Sequence, residues 1–79
     1  MPMIEIDHPD LLMRARHNIA NIVKAERRDE LFALRMHSLG WIAALHAEGL
    51  ISEAVGGQLA VELDATAAAR RAELLGAER

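Results

Sequence analysis

The spacing of apolar side chains along the chain predicts three helices. After "MPMIEID", which alternates weakly, Leu11, Leu12, Ala15, Ile19, Ile22 and Val23 recur at steps of three and four. Successive residues of an α-helix turn by about 100°, so this set forms one stripe, with Arg14, His17, Asn21, Lys24 and Arg28 opposite. The first helix should therefore be one-sided and span about residues 8–27. Asp7 is read as its N-cap, with Pro9 tolerated in the first turn and Asp10 completing a variant capping box.

The next apolar set, Leu31, Leu34, Trp41, Ile42 and Leu45, is out of phase with the first by roughly 100°. A change of direction belongs in "AERRDEL", either as a short turn with Asp29 as N-cap or as a kink in one long helix. The turn is the preferred reading. A second helix then runs over about 29–48. Gly49 supplies the left-handed residue that closes a helix, and Leu50 can fold back onto the last turn. Ser52 caps a third helix over about 53–75. So short a connection makes helices 2 and 3 an antiparallel hairpin. The ends, 1–6 and 76–79, are expected to be flexible, and 1–79 is read as a single helical domain.

Both hairpin helices carry apolar residues on two faces. Beside its first stripe, helix 2 has Phe32, Met36, Leu39 and Ala43. Helix 3 has Val55, Leu59, Leu63, Ala67 and Leu74 on one side, and Val61, Ala65, Ala68, Ala72 and Leu75 on the other. A helix apolar nearly all round requires burial nearly all round, and three short helices offer too few neighbours. The expected architecture is an all-α homodimeric helical bundle, in which the second stripes of helices 2 and 3 form the dimer interface.

Length and composition agree. A chain of 79 residues buries only about 60% of its unfolded surface, so a second copy adds core that one copy lacks. Hydrophobic residues make up 52%, many of them Ala, and the two prolines both lie near the start, as suits an all-helical protein. With no Cys there is no disulfide, thiolate nucleophile or cysteine metal site. No apolar stretch reaches the roughly 18 residues of a membrane span, and the start lacks a signal-peptide layout. A cytoplasmic, unprocessed protein without membrane contact is the resulting expectation.

Candidate chemistry is sparse. His8, His17, His37 and His46 never fall at the four-residue spacing that aligns two imidazoles on a helix, so no metal site is expected. His46 is placed at an interface edge. Glu53 and Glu62 read as solvated acids near a helix front. "AVGGQ" is no phosphate loop, since no Lys-Ser/Thr follows it, and the pair Gly56–Gly57 costs helicity unless close packing or a kink requires it. Neither catalytic residues nor a cofactor are expected, and the chain is read as non-enzymatic.

Charge changes the picture in one place. The net charge is −3, yet residues 11–28 hold Arg14, Arg16, Lys24, Arg27 and Arg28 against Glu26 alone, while three Arg and six acids follow Trp41. Arg14, His17, Asn21, Lys24 and Arg28 within a narrow arc are either a solvated face or a docking strip for an acidic partner. A nucleic-acid partner is the weaker alternative. The strip has no interleaved aromatics, and Glu53, Glu62 and Asp64 stand where a recognition helix would show Arg, Asn or Gln. The expected function is a dimeric protein that binds and regulates or inhibits a larger protein. In size and composition, without a specific motif, the chain resembles the small helical accessory proteins of phages and mobile elements. That resemblance implies blocking of a host machine such as a CRISPR complex or a transcription factor.

Overall fold

A computed structural model describes residues 5–77. It contains α1 (Pro9–Asn21), which tightens into a 3-10 turn over Ile22–Lys24, then α2 (Arg28–Ala47) and α3 (Glu53–Ala77). Among the described residues there is no strand. The most extensive packing is between α2 and α3, which run antiparallel: Arg35 meets Asp64, and further along Ile42 and His46 lie opposite Gly56 and Glu53.

The first helix ends six residues before the expected 27. The chain leaves the 3-10 turn with extended backbone at Ala25 and Arg27, so the phase change is a turn. Asp29 is not the cap of α2. That position falls to Arg27, and the Asp29 carboxylate accepts from the Glu30 N–H within the first turn, where its charge suits the helix dipole. The tighter 3-10 winding stacks residues three apart, which turns Ile22 and Ala25 inward and leaves Val23, expected on the buried stripe, 44% exposed.

The α2–α3 link follows the sequence pattern. Gly49 has φ +73°, its N–H donates to the His46 carbonyl and the Leu50 N–H reaches back to Leu45, which is a Schellman ending. Ser52 Oγ accepts from the Val55 N–H as the cap of α3. α3 persists to Ala77, so residues 76 and 77 are helical rather than frayed. Of the ends expected to be flexible, 1–4 and 78–79 lie outside the described residues.

Asp7 has a different task from the expected one. The imidazole Nδ1 of His8 takes over capping of α1, accepting from the Asp10 N–H at 3.1 Å. Asp7 itself sits at φ +58°, a left-handed conformation that Asp tolerates better than most residues. From there its N–H donates to the Leu50 carbonyl at 2.9 Å and its Oδ1 accepts from the Ser52 N–H at 2.8 Å. The chain before α1 is thereby clamped onto the hairpin loop. Asp7→Ala should lower the urea midpoint by an amount equivalent to about 1–2 kcal/mol, through the orphaned Ser52 N–H and the left-handed backbone. Asp7→Asn keeps both the acceptor and the tolerance of that backbone, and should recover most of the loss.

Two further ties continue along the same side. Arg16 donates to both carboxylate oxygens of Glu62 at 3.1 and 3.2 Å, and Arg70 donates twice to the Ala25 carbonyl at 3.1 and 2.9 Å. Glu62 is therefore a partner of α1 rather than a solvated acid, and its hydrogen bonds and charge hold the Arg16 pKa above its ordinary value. Asp7–Ser52, Arg16–Glu62 and Ala25–Arg70 are separated by 45, 46 and 45 residues. So constant an offset means that α1 runs parallel to α3 and in step with it.

Between the helices lies a core of Ala15, Ile19, Ile22 and Ala25, with Leu31, Ile42 and Leu45 from α2, Ile51 from the loop, and Leu59, Leu63, Ala67 and Leu74 from α3. Trp41 and Leu34 pack against it half-buried. Ser38 is buried within this core. Its Oγ lies 3.3 Å from Asn18 Oδ1, so the α1–α2 crossing holds one satisfied polar contact.

Candidate interaction surfaces

The second stripes of α2 and α3 come to lie side by side. A groove of about 620 Å³ between the two helices is lined by Phe32 from one and Ala68 from the other. Further along, a smaller hollow of about 280 Å³ joins Leu39 and Ala43 to Gly56 and Gly57. No residue of α1 lines either. The hairpin thus gives its first stripes to α1 and the core, and shows its second stripes on the side that α1 leaves open.

On that open face Phe32 is 63% exposed, Val61 68%, Met36 46% and Leu75 39%. Ala43, Ala65, Ala68 and Ala72 are also exposed, while Leu39 is half-buried and packs against the core. Of the nine residues assigned to an interface from the sequence, Leu39 alone is substantially covered within the chain. Across the middle of the face Arg35 donates to Asp64 Oδ1 through both Nη2 at 2.7 Å and Nε at 3.1 Å. Sequence reasoning did not single out Arg35, because it lies between the two stripes of α2. Its relation to Asp64 depends on how the hairpin aligns, which periodicity does not report.

The basic strip is divided by the fold. Arg14, His17 and Asn21 are exposed on α1, and Lys24 is exposed at the end of the 3-10 turn. Arg28 does not continue the strip: it is the first residue of α2, and it lines the larger groove with Phe32, Arg35 and Arg71. Arg16, one residue from the strip, is engaged by Glu62. His8, His17, His37 and His46 are all exposed, with His46 at the rim of the smaller hollow.

Among the described residues no three His, Asp or Glu side chains converge as a metal site would require, and no helix is long and apolar enough to cross a membrane. Compared with protein-family models, with curated proteins and with solved structures, the chain has no match.

Proposed function

We propose that the protein is a non-enzymatic, homodimeric interaction module that regulates or inhibits a larger protein, pairing through the open face of α2 and α3 and presenting α1 outward. One observation carries the dimer. The side chains of Phe32, Met36, Val61, Leu75 and the four alanines stand exposed on the second stripes of α2 and α3, on the side that α1 leaves open. Large apolar side chains grouped on one side of a soluble chain, rather than scattered singly, mark an interaction surface. Arg35 and Asp64, which lie across the face, are already paired within the chain, so covering these two does not leave either charge without a partner.

The partner-binding role is assigned to Arg14, His17, Asn21 and Lys24, which point away from the core. Their cationic surface suits an acidic protein patch. The open face being engaged by the second copy, α1 is the surface that each subunit retains for others, and two-fold symmetry offers it twice.

The experiment combines mass and capture. Light scattering at micromolar concentration should give about twice the 8.7 kDa chain mass for both the native chain and an Arg14→Glu/Lys24→Glu variant, because exposed charges contribute little to folding. Immobilised native protein should retain a protein from nuclease-treated lysate that the variant does not. Loss of capture on nuclease treatment, with a steep log-linear salt dependence, would identify nucleic acid as the partner instead. Equal capture by both proteins would reduce the strip to a solvated face.

A further inference from the structure

The larger groove between α2 and α3 holds more cations than its acids can engage. Three guanidiniums, Arg28, Arg35 and Arg71, line it against two carboxylates, Asp29 and Asp64. Both carboxylates are already occupied. Asp64 Oδ1 accepts from Arg35 twice, at 2.7 and 3.1 Å, and Asp29 Oδ1 lies 3.4 Å from the Nε of Arg27 while accepting the Glu30 N–H. Arg71 forms no hydrogen bond or ion pair among the described residues. In a chain of net charge −3, this groove is locally cationic.

Between its charges the groove is apolar. Phe32, 63% exposed, belongs to its α2 wall and Ala68 to its α3 wall, with Arg71 about one helical turn beyond Ala68. From Arg28 to Arg35 the α2 wall runs about 10 Å, the span of about three residues of extended peptide. The volume of about 620 Å³ lies within the roughly 300–1,000 Å³ of sites that hold a ligand. A purely apolar cover would take Arg71 out of water with nothing to receive its charge. A run of phosphates fits poorly too, because Asp29 lines one wall and Asp64 the other. A carboxylate beside an aliphatic or aromatic side chain meets both demands: the guanidinium receives the carboxylate through two parallel hydrogen bonds, and the neighbouring side chain covers Phe32. We infer that the groove seats a short acidic and apolar segment of a protein partner, its carboxylate on Arg71 and its apolar side chain on Phe32.

This site is separate from the basic strip, since no residue of α1 lines the groove. It does share Phe32 and Ala68 with the face assigned above to the second copy, so the acidic segment and the second copy exclude each other there. Occupation of the groove therefore favours the single chain, by mass action.

The probe is a capped hexapeptide, Glu-Glu-Leu-Phe-Glu-Glu, titrated into the isotope-labelled full chain and followed by amide chemical shifts. Saturable shifts should cluster at Phe32, Ala68 and Arg71. Arg71→Glu and Phe32→Ala change exposed side chains and should keep the helical spectrum, yet each should weaken binding about tenfold or more. Arg71→Lys keeps the charge without the fork and should retain part of the affinity. The basic counterpart, Lys-Lys-Leu-Phe-Lys-Lys, should not bind. At saturation with the acidic peptide, light scattering should fall from the dimer mass toward the 8.7 kDa of one chain. No saturable shift at the groove, undiminished binding by Arg71→Glu, or equal binding of the basic peptide would overturn the site. Shifts confined to Arg14, His17 and Lys24 would overturn it in favour of the α1 strip. A chain that is monomeric without the peptide and still binds it through Arg71 would support the site and overturn the dimer alone.

Discussion

Ala68→Arg is expected to convert the dimer into a folded monomer. The site is exposed and lines the larger groove between α2 and α3, so within one chain the new side chain extends into water and helicity is kept. In the dimer the same guanidinium would be closed off from water once per subunit, in a groove that already holds Arg28, Arg35 and Arg71. Burying a charge without a partner costs about 3–5 kcal/mol, which is a loss of two to three orders of magnitude in association. Light scattering should then report the 8.7 kDa chain with an unchanged far-ultraviolet spectrum. Ala20→Arg, on exposed α1 away from both hollows, should leave the dimer mass as it was. Leu39→Arg would be less informative, since Leu39 also packs against the core and its loss would mix folding with association. An Ala68→Arg protein that stays dimeric at micromolar concentration would move the interface elsewhere.

Leu63→Ala should produce the largest loss of folding stability. Leu59 and Leu63 are both fully buried at the centre of the α3 inner stripe, so truncation leaves a cavity that three helices cannot easily collapse around. Such changes cost about 2–5 kcal/mol, out of total stabilities of about 5–15 kcal/mol for whole domains. Urea unfolding at fixed protein concentration should show a much lower midpoint. The concentration must be held constant because association adds to apparent stability. Val61→Ala, two residues away but pointing into solvent, should change the midpoint far less than Leu63→Ala and should weaken dimerisation instead. If Leu63→Ala lost less than about 1 kcal/mol, the core of the fold would not be where these helices place it.

Much of the fold was legible because it rests on local rules. The 3.6-residue period placed Leu59, Leu63, Ala67 and Leu74 together on the inner face of α3, where they are buried. Gly49 and Ser52 identified the link because a left-handed glycine and a hydroxyl cap act within a few residues of themselves. The absence of a second cover for Phe32, Met36, Val61 and Leu75 was also readable, as a mismatch between the number of apolar faces and the number of helices available.

Other features depended on contacts far apart in sequence. Asp7 has the residue type of an N-cap, but the hairpin loop offers its carboxylate the Ser52 N–H, 45 residues on, and the cap passes to His8. Glu62 has the pattern of a solvated acid, and only the parallel alignment of α1 and α3 brings it to Arg16. Ser38 could have been noticed seven residues from both Leu31 and Leu45, hence on the inner stripe, but its pairing with Asn18 required the α1–α2 crossing.

The sequence by itself determined where helices form, which stripe of each is apolar, and that two helices carry more apolar surface than their own chain can bury. These properties follow from side-chain chemistry repeated at the helical period, and each is complete within a window of some ten to twenty residues. Tertiary structure decided the rest. It ended α1 early enough to move Arg28 from the basic strip into the groove beside Phe32, and it paired Arg35 with Asp64. It also set Phe32 and Gly57 at opposite ends of one face. Those outcomes depend on the relative rotation and register of whole helices, which no local window of sequence encodes.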